Sequence, residues 1–170
     1  MNSAAKKVAV LGSMTALAMI LSYVESQLPA FVAIPGIKVG LTNIVVVTSL
    51  YLMGFKYAMC INVLRIFLTS ILFGNGIGLA YSIAGGVASL LIMFALKKTN
   101  KFRIVTVSIV GAVAHNVAQL AVACFLVGTS RILWYFLILW ITGIVSGTVI
   151  GLLGAVLTKR GLMFFNQKLI

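Results

Sequence analysis

The chain has 170 residues, 62% of them hydrophobic and 8% charged, with a mean hydropathy of +1.21. Soluble domains carry about 25% charged residues, so this chain cannot cover a water-facing globular surface and is expected to be an integral membrane protein. Thirteen Lys and Arg stand against one acid, Glu25, and no aspartate, for a net charge of +12; because the basic residues fall mainly in short connections between apolar runs, they report topology rather than nucleic-acid binding.

A membrane-spanning helix needs about 20 apolar residues, with a range of about 17–25. Breaks at Gly, Pro, Asn and Lys divide the chain into six such candidates, at about 7–27, 40–54, 56–73, 77–96, 104–127 and 132–157. The first has the basic start of a signal peptide, but its apolar run is too long and no A-x-A cleavage site closes it, so it reads as a retained span. The second is short and follows "LPAFVAIPGIKVG", a Pro/Gly-interrupted apolar connection suited to an interfacial or re-entrant lid over 28–39. The remaining connections are tight. The expected fold is all-α: one compact bundle of six transmembrane helices over residues 1–170, with no second domain.

Basic residues orient the bundle. With the N-terminus inside, Lys6, Lys7, Lys56, Lys97, Lys98, Lys101, Arg103, Lys159, Arg160 and Lys168 are cytoplasmic, and Lys38 and Arg131 lie outside. Both termini are then cytoplasmic, and Arg65 is left within the membrane. Cys60 and Cys124 lie in apolar runs with no metal-binding spacing and read as buried free thiols.

Small residues recur at helix-packing spacing. Ala5, Ala9, Gly12 and Ala16 mark the first helix, "SIAGGVAS" the fourth, and Gly143, Gly147, Gly151 and Gly154 the sixth. Such stripes let helix backbones approach closely in lipid. They serve either packing inside the bundle or docking on another membrane subunit, and the first-helix stripe is the candidate for docking.

The polar residues concentrate in the middle and outer half. Asn62, Arg65 and Thr69 are spaced i, i+3, i+7 and share one face of the third helix. Ser108, Gly111, His115 and Gln119 share a face of the fifth, with Asn116 beside them. Asn43 starts the second helix, Tyr81 lies near the start of the fourth, and Glu25 ends the first. Together they predict a pocket that opens outward. His115 with Gln119 also fits an interhelical hydrogen-bond pair, Glu25 a solvated helix end, and Asn75 in "FGNGIG" a turn residue. A charge at mid-membrane costs at least about 2.5–3.5 kcal/mol on insertion scales. Arg65 therefore has either a structural partner, for which Glu25 is the acidic candidate, or an anionic ligand, whose carboxylate or phosphate its planar fork would bind bidentately.

Absent motifs narrow the chemistry. There is no GxxxxGK[ST] phosphate loop, no aspartate for paired-carboxylate magnesium sites and no nucleophile elbow or Ser/His/Asp triad. One histidine and one glutamate at different depths make a poor acid–base pair. The chain is expected not to be an enzyme and to hold no metal.

"PGIKVGLTNIVVVTSLYLMGFKYAMCINVLRIFLTSILFG", "YSIAGGVASLLIMFALKK" and "SIVGAVAHNVAQLAVA" resemble the Gx transporter family, also described as heptaprenyl diphosphate synthase component I. The resemblance covers roughly residues 8 to 157, and its build is similar to the S components of energy-coupling-factor (ECF) transporters. It implies a bacterial plasma-membrane subunit that captures a small, anionic vitamin or cofactor precursor from outside. A flavin or an isoprenoid or quinone precursor is the cargo it suggests. It also implies partners, a coupling subunit and two ATPases that use ATP, with no cofactor held permanently by this chain. The implied substrate-binding residues are Arg65, His115, Asn116, Gln119, Asn43, Tyr81, Asn62 and Thr69, and the implied docking residues Ala5, Ala9, Gly12 and Ala16. The alternative is a non-catalytic membrane accessory of a heptaprenyl diphosphate synthase in isoprenoid or menaquinone biosynthesis. Aspartate-free, the chain lacks the motifs that hold magnesium against a diphosphate in prenyl synthesis.

Overall fold

A computed structural model describes residues 4–27, 40–73, 76–128 and 134–167. The described residues are all-helical apart from turns. The helices are α1 (Ala4–Gln27), α2 (Thr42–Leu52), α3 (Phe55–Phe73), α4 (Gly76–Lys98), α5 (Ile104–Val127) and α6 (Phe136–Gln167). The 28–39 connection proposed as a lid, together with Lys38, Asn75, Arg131 and Lys168, lies outside the described residues.

Five of these helices are long and apolar enough to cross a membrane, and the chain has the build of a multi-pass membrane protein. Their outer surfaces carry large apolar side chains such as Val8, Ile71, Phe125 and Val145, as surfaces in contact with lipid do. Cys60, expected in the interior, is also on the outside, and both cysteines are free thiols.

The second helix departs from the expectation of a span at 40–54. α2 has 11 residues, about 16 Å at 1.5 Å per residue, against a hydrocarbon core of about 30 Å. Its sequence, TNIVVVTSLYL, is apolar on every side, and a helix apolar all round is a buried helix. Residues Thr42 and Ile44 to Leu50 are all buried, and Val46, Val47 and Leu50 join Leu90, Val107 and Ile150 in the main core. α2 is thus an internal wedge packed against α1, α3, α4 and α6. Its C-terminal end is closed by Lys97, whose Nζ donates to the Leu50 carbonyl at 2.6 Å and sits 4.8 Å from the Tyr51 ring centroid. Gly54, at φ +90°, turns the chain into α3 with a backbone that other residues rarely adopt.

The glycines of α6 explain how tightly the bundle closes. A Cβ on Gly147 would fall 2.7 Å from Ile109 Cα, and one on Gly151 2.7 Å from Val105 Cα. Those two residues therefore set the approach of α6 to α5, while Gly154 faces Val47 of α2 and Gly161 faces Leu52. The α6 stripe is internal packing. The α1 stripe is the opposite case: Ala5, Ala9, Gly12 and Ala16 are exposed, and a Cβ on Gly12 would meet nothing within 4 Å.

The helices alternate in direction, so α1, α3 and α5 begin, and α2, α4 and α6 finish, at one end of the bundle. Lys6, Lys7, Lys56, Lys97, Lys98, Lys101, Arg103, Lys159 and Arg160 collect there. Tyr23 and Phe73, with ring centroids 4.9 Å apart, mark the opposite end, where α1 and α3 terminate.

Candidate functional site

At that opposite end all six helices border a cavity of about 130 Å³. α1 contributes Ser22, Glu25 and Ser26, and the start of α2 contributes Gly40, Thr42 and Asn43. Arg65, Thr69, Ser70 and Phe73 come from α3, and Gly78 and Ser82 from α4. α5 supplies Ala112, His115, Asn116 and Gln119, and α6 supplies Ser146 and Ile150.

Arg65 forms its inner wall. It is the eleventh residue of α3, about 15 Å along the helix from the basic end, and is 9% exposed. One turn back, Asn62 is 1% exposed and holds the guanidinium along one edge: Nε and one Nη donate to its Oδ1 at 3.2 and 3.0 Å. Asn62 Nδ2 in turn donates to the Gly86 carbonyl of α4 at 2.9 Å. A guanidinium has five N–H donors. The remaining three make no hydrogen bond to the described residues, and Arg65 borders the cavity. Glu25 attracts Arg65 coulombically, but the hydrogen bonds of Arg65 among the described residues go to Asn62. Glu25 itself accepts the amide hydrogen of Gly40, which fastens the end of α1 to the start of α2. The Ser22 and Thr42 hydroxyls, 2.7 Å apart, add a second tie there. Gly40 has φ +79°, and a Cβ there would crowd Ile150 and Asn43 at 3.2 and 3.3 Å, so glycine is required by both conformation and space.

His115 lies flat against α4. A Cβ on Gly85 would stand 2.8 Å from His115 Cε1 and 2.9 Å from both ring nitrogens. A Cβ on Gly86 would likewise press on Ile66 and Asn62. The "AGG" of the fourth helix, read from sequence as a packing stripe, is therefore the seat of two polar side chains of the site. Asn116 braces α5 to α6 through Nδ2 and the Leu139 carbonyl at 2.7 Å. Gln119 is 8% exposed, borders the cavity, and its amide has no hydrogen-bond partner among the described residues.

Of the residues singled out from sequence, Arg65, His115, Asn116, Gln119, Asn43 and Thr69 meet on this cavity. Asn62 stands behind Arg65 rather than on the wall. Tyr81 is not among the described lining: Gly78 and Ser82, spaced i, i+4, take the inward face of α4, and Tyr81 is turned about 100° from Ser82. Ser70, Phe73, Ser82 and Ser146 were not anticipated. Phe73, i+4 from Thr69, continues the Arg65–Thr69 face, a signal present in the sequence, whereas Ser70 lies about 100° round the helix from Thr69. Ser82 and Ser146 were masked by the glycine-rich runs around them. Among the described residues no three His, Cys, Asp or Glu side chains group as metal ligands would.

A bundle of apolar helices closing on a polar cavity with one buried cation defines a polytopic membrane protein with a small-molecule-sized interior site. The family model of heptaprenyl diphosphate synthase component I matches residues 14–157, and the chain belongs to that family. No curated protein and no solved structure matches it.

Proposed function

We propose that this chain is the substrate-binding membrane subunit of an ECF-type uptake system, working without catalysis of its own. The observation that carries the reading is the Arg65 guanidinium, anchored along one edge by Asn62 on the wall of the cavity. A buried cation held in this way is preorganised for an anionic ligand, because its position is fixed before the ligand arrives. The positive-inside rule assigns the basic end to the cytoplasm, so the cavity faces outward and collects its ligand from outside a bacterial plasma membrane. His115 and Gln119 would orient the ligand by hydrogen bonds. The exposed face of Ala5, Ala9, Gly12 and Ala16, which begins at the cytoplasmic end, is the surface offered to the coupling subunit, whose ATPases would supply the energy.

The family's name raises a second reading: an accessory that holds a soluble prenyl diphosphate synthase at the membrane through the basic 97–103 loop. Co-purification separates the two. Gly12→Leu places a large side chain in open space, so the fold should survive while recovery of the coupling subunit and ATPases falls several-fold. Recovery unchanged by Gly12→Leu would refute the docking face. Recovery of a prenyl synthase instead, lost on neutralising Lys97, Lys98, Lys101 and Arg103, would establish the accessory role.

A further inference from the structure

The wall of the cavity narrows the chemistry of the ligand. The cavity measures about 130 Å³. Sites for drug-sized ligands run to about 300–1,000 Å³, whereas an engineered cavity of about 150 Å³ takes up benzene. Among the described lining residues the apolar side chains are Phe73, Ala112 and Ile150. Phe73 is the one aromatic ring among them, and the polar character of the described lining favours a hydroxylated ligand over an isoalloxazine or a prenyl tail. The rest of the described wall is hydroxyl, amide, imidazole and glycine backbone, with the Arg65 guanidinium and the Glu25 carboxylate, the latter engaged by the Gly40 amide. Several of its polar groups are already used within the protein: Ser22 with Thr42, Asn116 with Leu139, and Thr69 with the Arg65 carbonyl. Gln119, Asn43, Ser70 and Ser82 make no side-chain hydrogen bonds among the described residues. Buried to 8% exposure, Gln119 borders the cavity, so its amide is placed to hydrogen-bond a ligand there.

Resting on the binding-subunit reading, we infer that the cargo is a small hydroxylated organic anion. It carries a carboxylate or phosphate for Arg65, on a polyol scaffold of roughly three to six carbons, the size such a cavity admits. Its hydroxyl groups engage Gln119, Asn43, Ser70 and Ser82. Paired donors and acceptors on the wall reject an apolar analogue, because that analogue would leave them unanswered. A flavin and a long-chain prenyl diphosphate both fall outside this class.

The test uses the full chain in lipid nanodiscs and equilibrium binding of named probes. Glycerate, gluconate and glycerol 3-phosphate represent the class. Hexanoate is the matched acid without hydroxyls, and FMN and farnesyl diphosphate represent the larger alternatives. At least one of the first three should bind, weakened about tenfold or more by Arg65→Ala and less by Arg65→Lys, which keeps the charge and loses the fork. Gln119→Leu should weaken the same probe several-fold, and hexanoate, FMN and farnesyl diphosphate should not compete. Arg65-dependent binding of hexanoate, FMN or farnesyl diphosphate at equal or higher affinity would overturn the cargo class while leaving the binding-subunit reading intact. If none of the six bound in an Arg65-dependent way, the cargo class would fall, while the binding-subunit reading stands or falls separately on recovery of the coupling subunit and ATPases. Elution of each variant as a monodisperse peak identifies a loss of binding with loss of the site rather than of the fold.

Discussion

Arg65, through Asn62, and His115, directly, both rest on glycines of α4. The guanidinium is placed by Asn62, and Asn62 is placed by the Gly86 carbonyl. The imidazole lies on the bare Cα of Gly85. In a medium without water, a polar group that loses its protein partner has nothing to replace it, so these supports matter as much as the groups that face the cavity. Gly85→Ala is the direct test at this scale. The new methyl would sit under 3 Å from the ring, and a rigid ring cannot yield by rotating a flexible end. We expect destabilisation of about 1–3 kcal/mol, typical of overpacking, together with lost ligand binding. Stability and binding equal to the parent in thermal unfolding and ligand titration would contradict the contact. The sequence made Arg65, Asn62, Thr69, His115 and Gln119 legible because a polar residue in an apolar run is conspicuous and helical spacing aligns it. It did not disclose that Asn62 supports rather than lines, nor that Tyr81 turns aside, because depth along a helix is easier to infer than rotation about it.

At the scale of elements, the fold rests on unequal helices. α5 packs between α4 and α6, and α6 reaches α5 through Gly147 and Gly151 at backbone contact distance. Association of helices in lipid gains little from hydrophobic burial and depends on such close packing. Gly147→Leu should force the two helices apart, cost about 1–3 kcal/mol, and lower the unfolding temperature in detergent. An unaltered transition would show that α6 does not approach α5 as closely as described. The same reasoning separates Gly12, whose outward face meets nothing, from the internal glycines. Sequence periodicity alone could not, because a small-residue stripe reads identically whether its partner is in the same chain or another. α6 runs to Gln167, ten residues beyond the expected end at 157, whereas the first five segments were legible from hydropathy to within a few residues. The shortness of α2 was not: TNIVVVTSLYL is apolar enough to span, and what shows it to be an internal wedge is its burial on all sides.

For the whole molecule, one asymmetry joins structure to function. The basic residues gather at one end and the polar cavity lies toward the other, so on the proposed function the orientation set by charge would also set the side from which a ligand enters. The mid-membrane arginine, costly in isolation, is held by Asn62 on one edge and, on the proposed function, would be answered by an anionic ligand. Mass spectrometry of small molecules released from purified wild-type protein and from Arg65→Ala tests this claim most directly. The account predicts a small organic anion released from the wild type and missing from the variant. A ligand retained equally by both would contradict it and make Arg65 a structural charge, balanced by Asn62 and the attraction of Glu25.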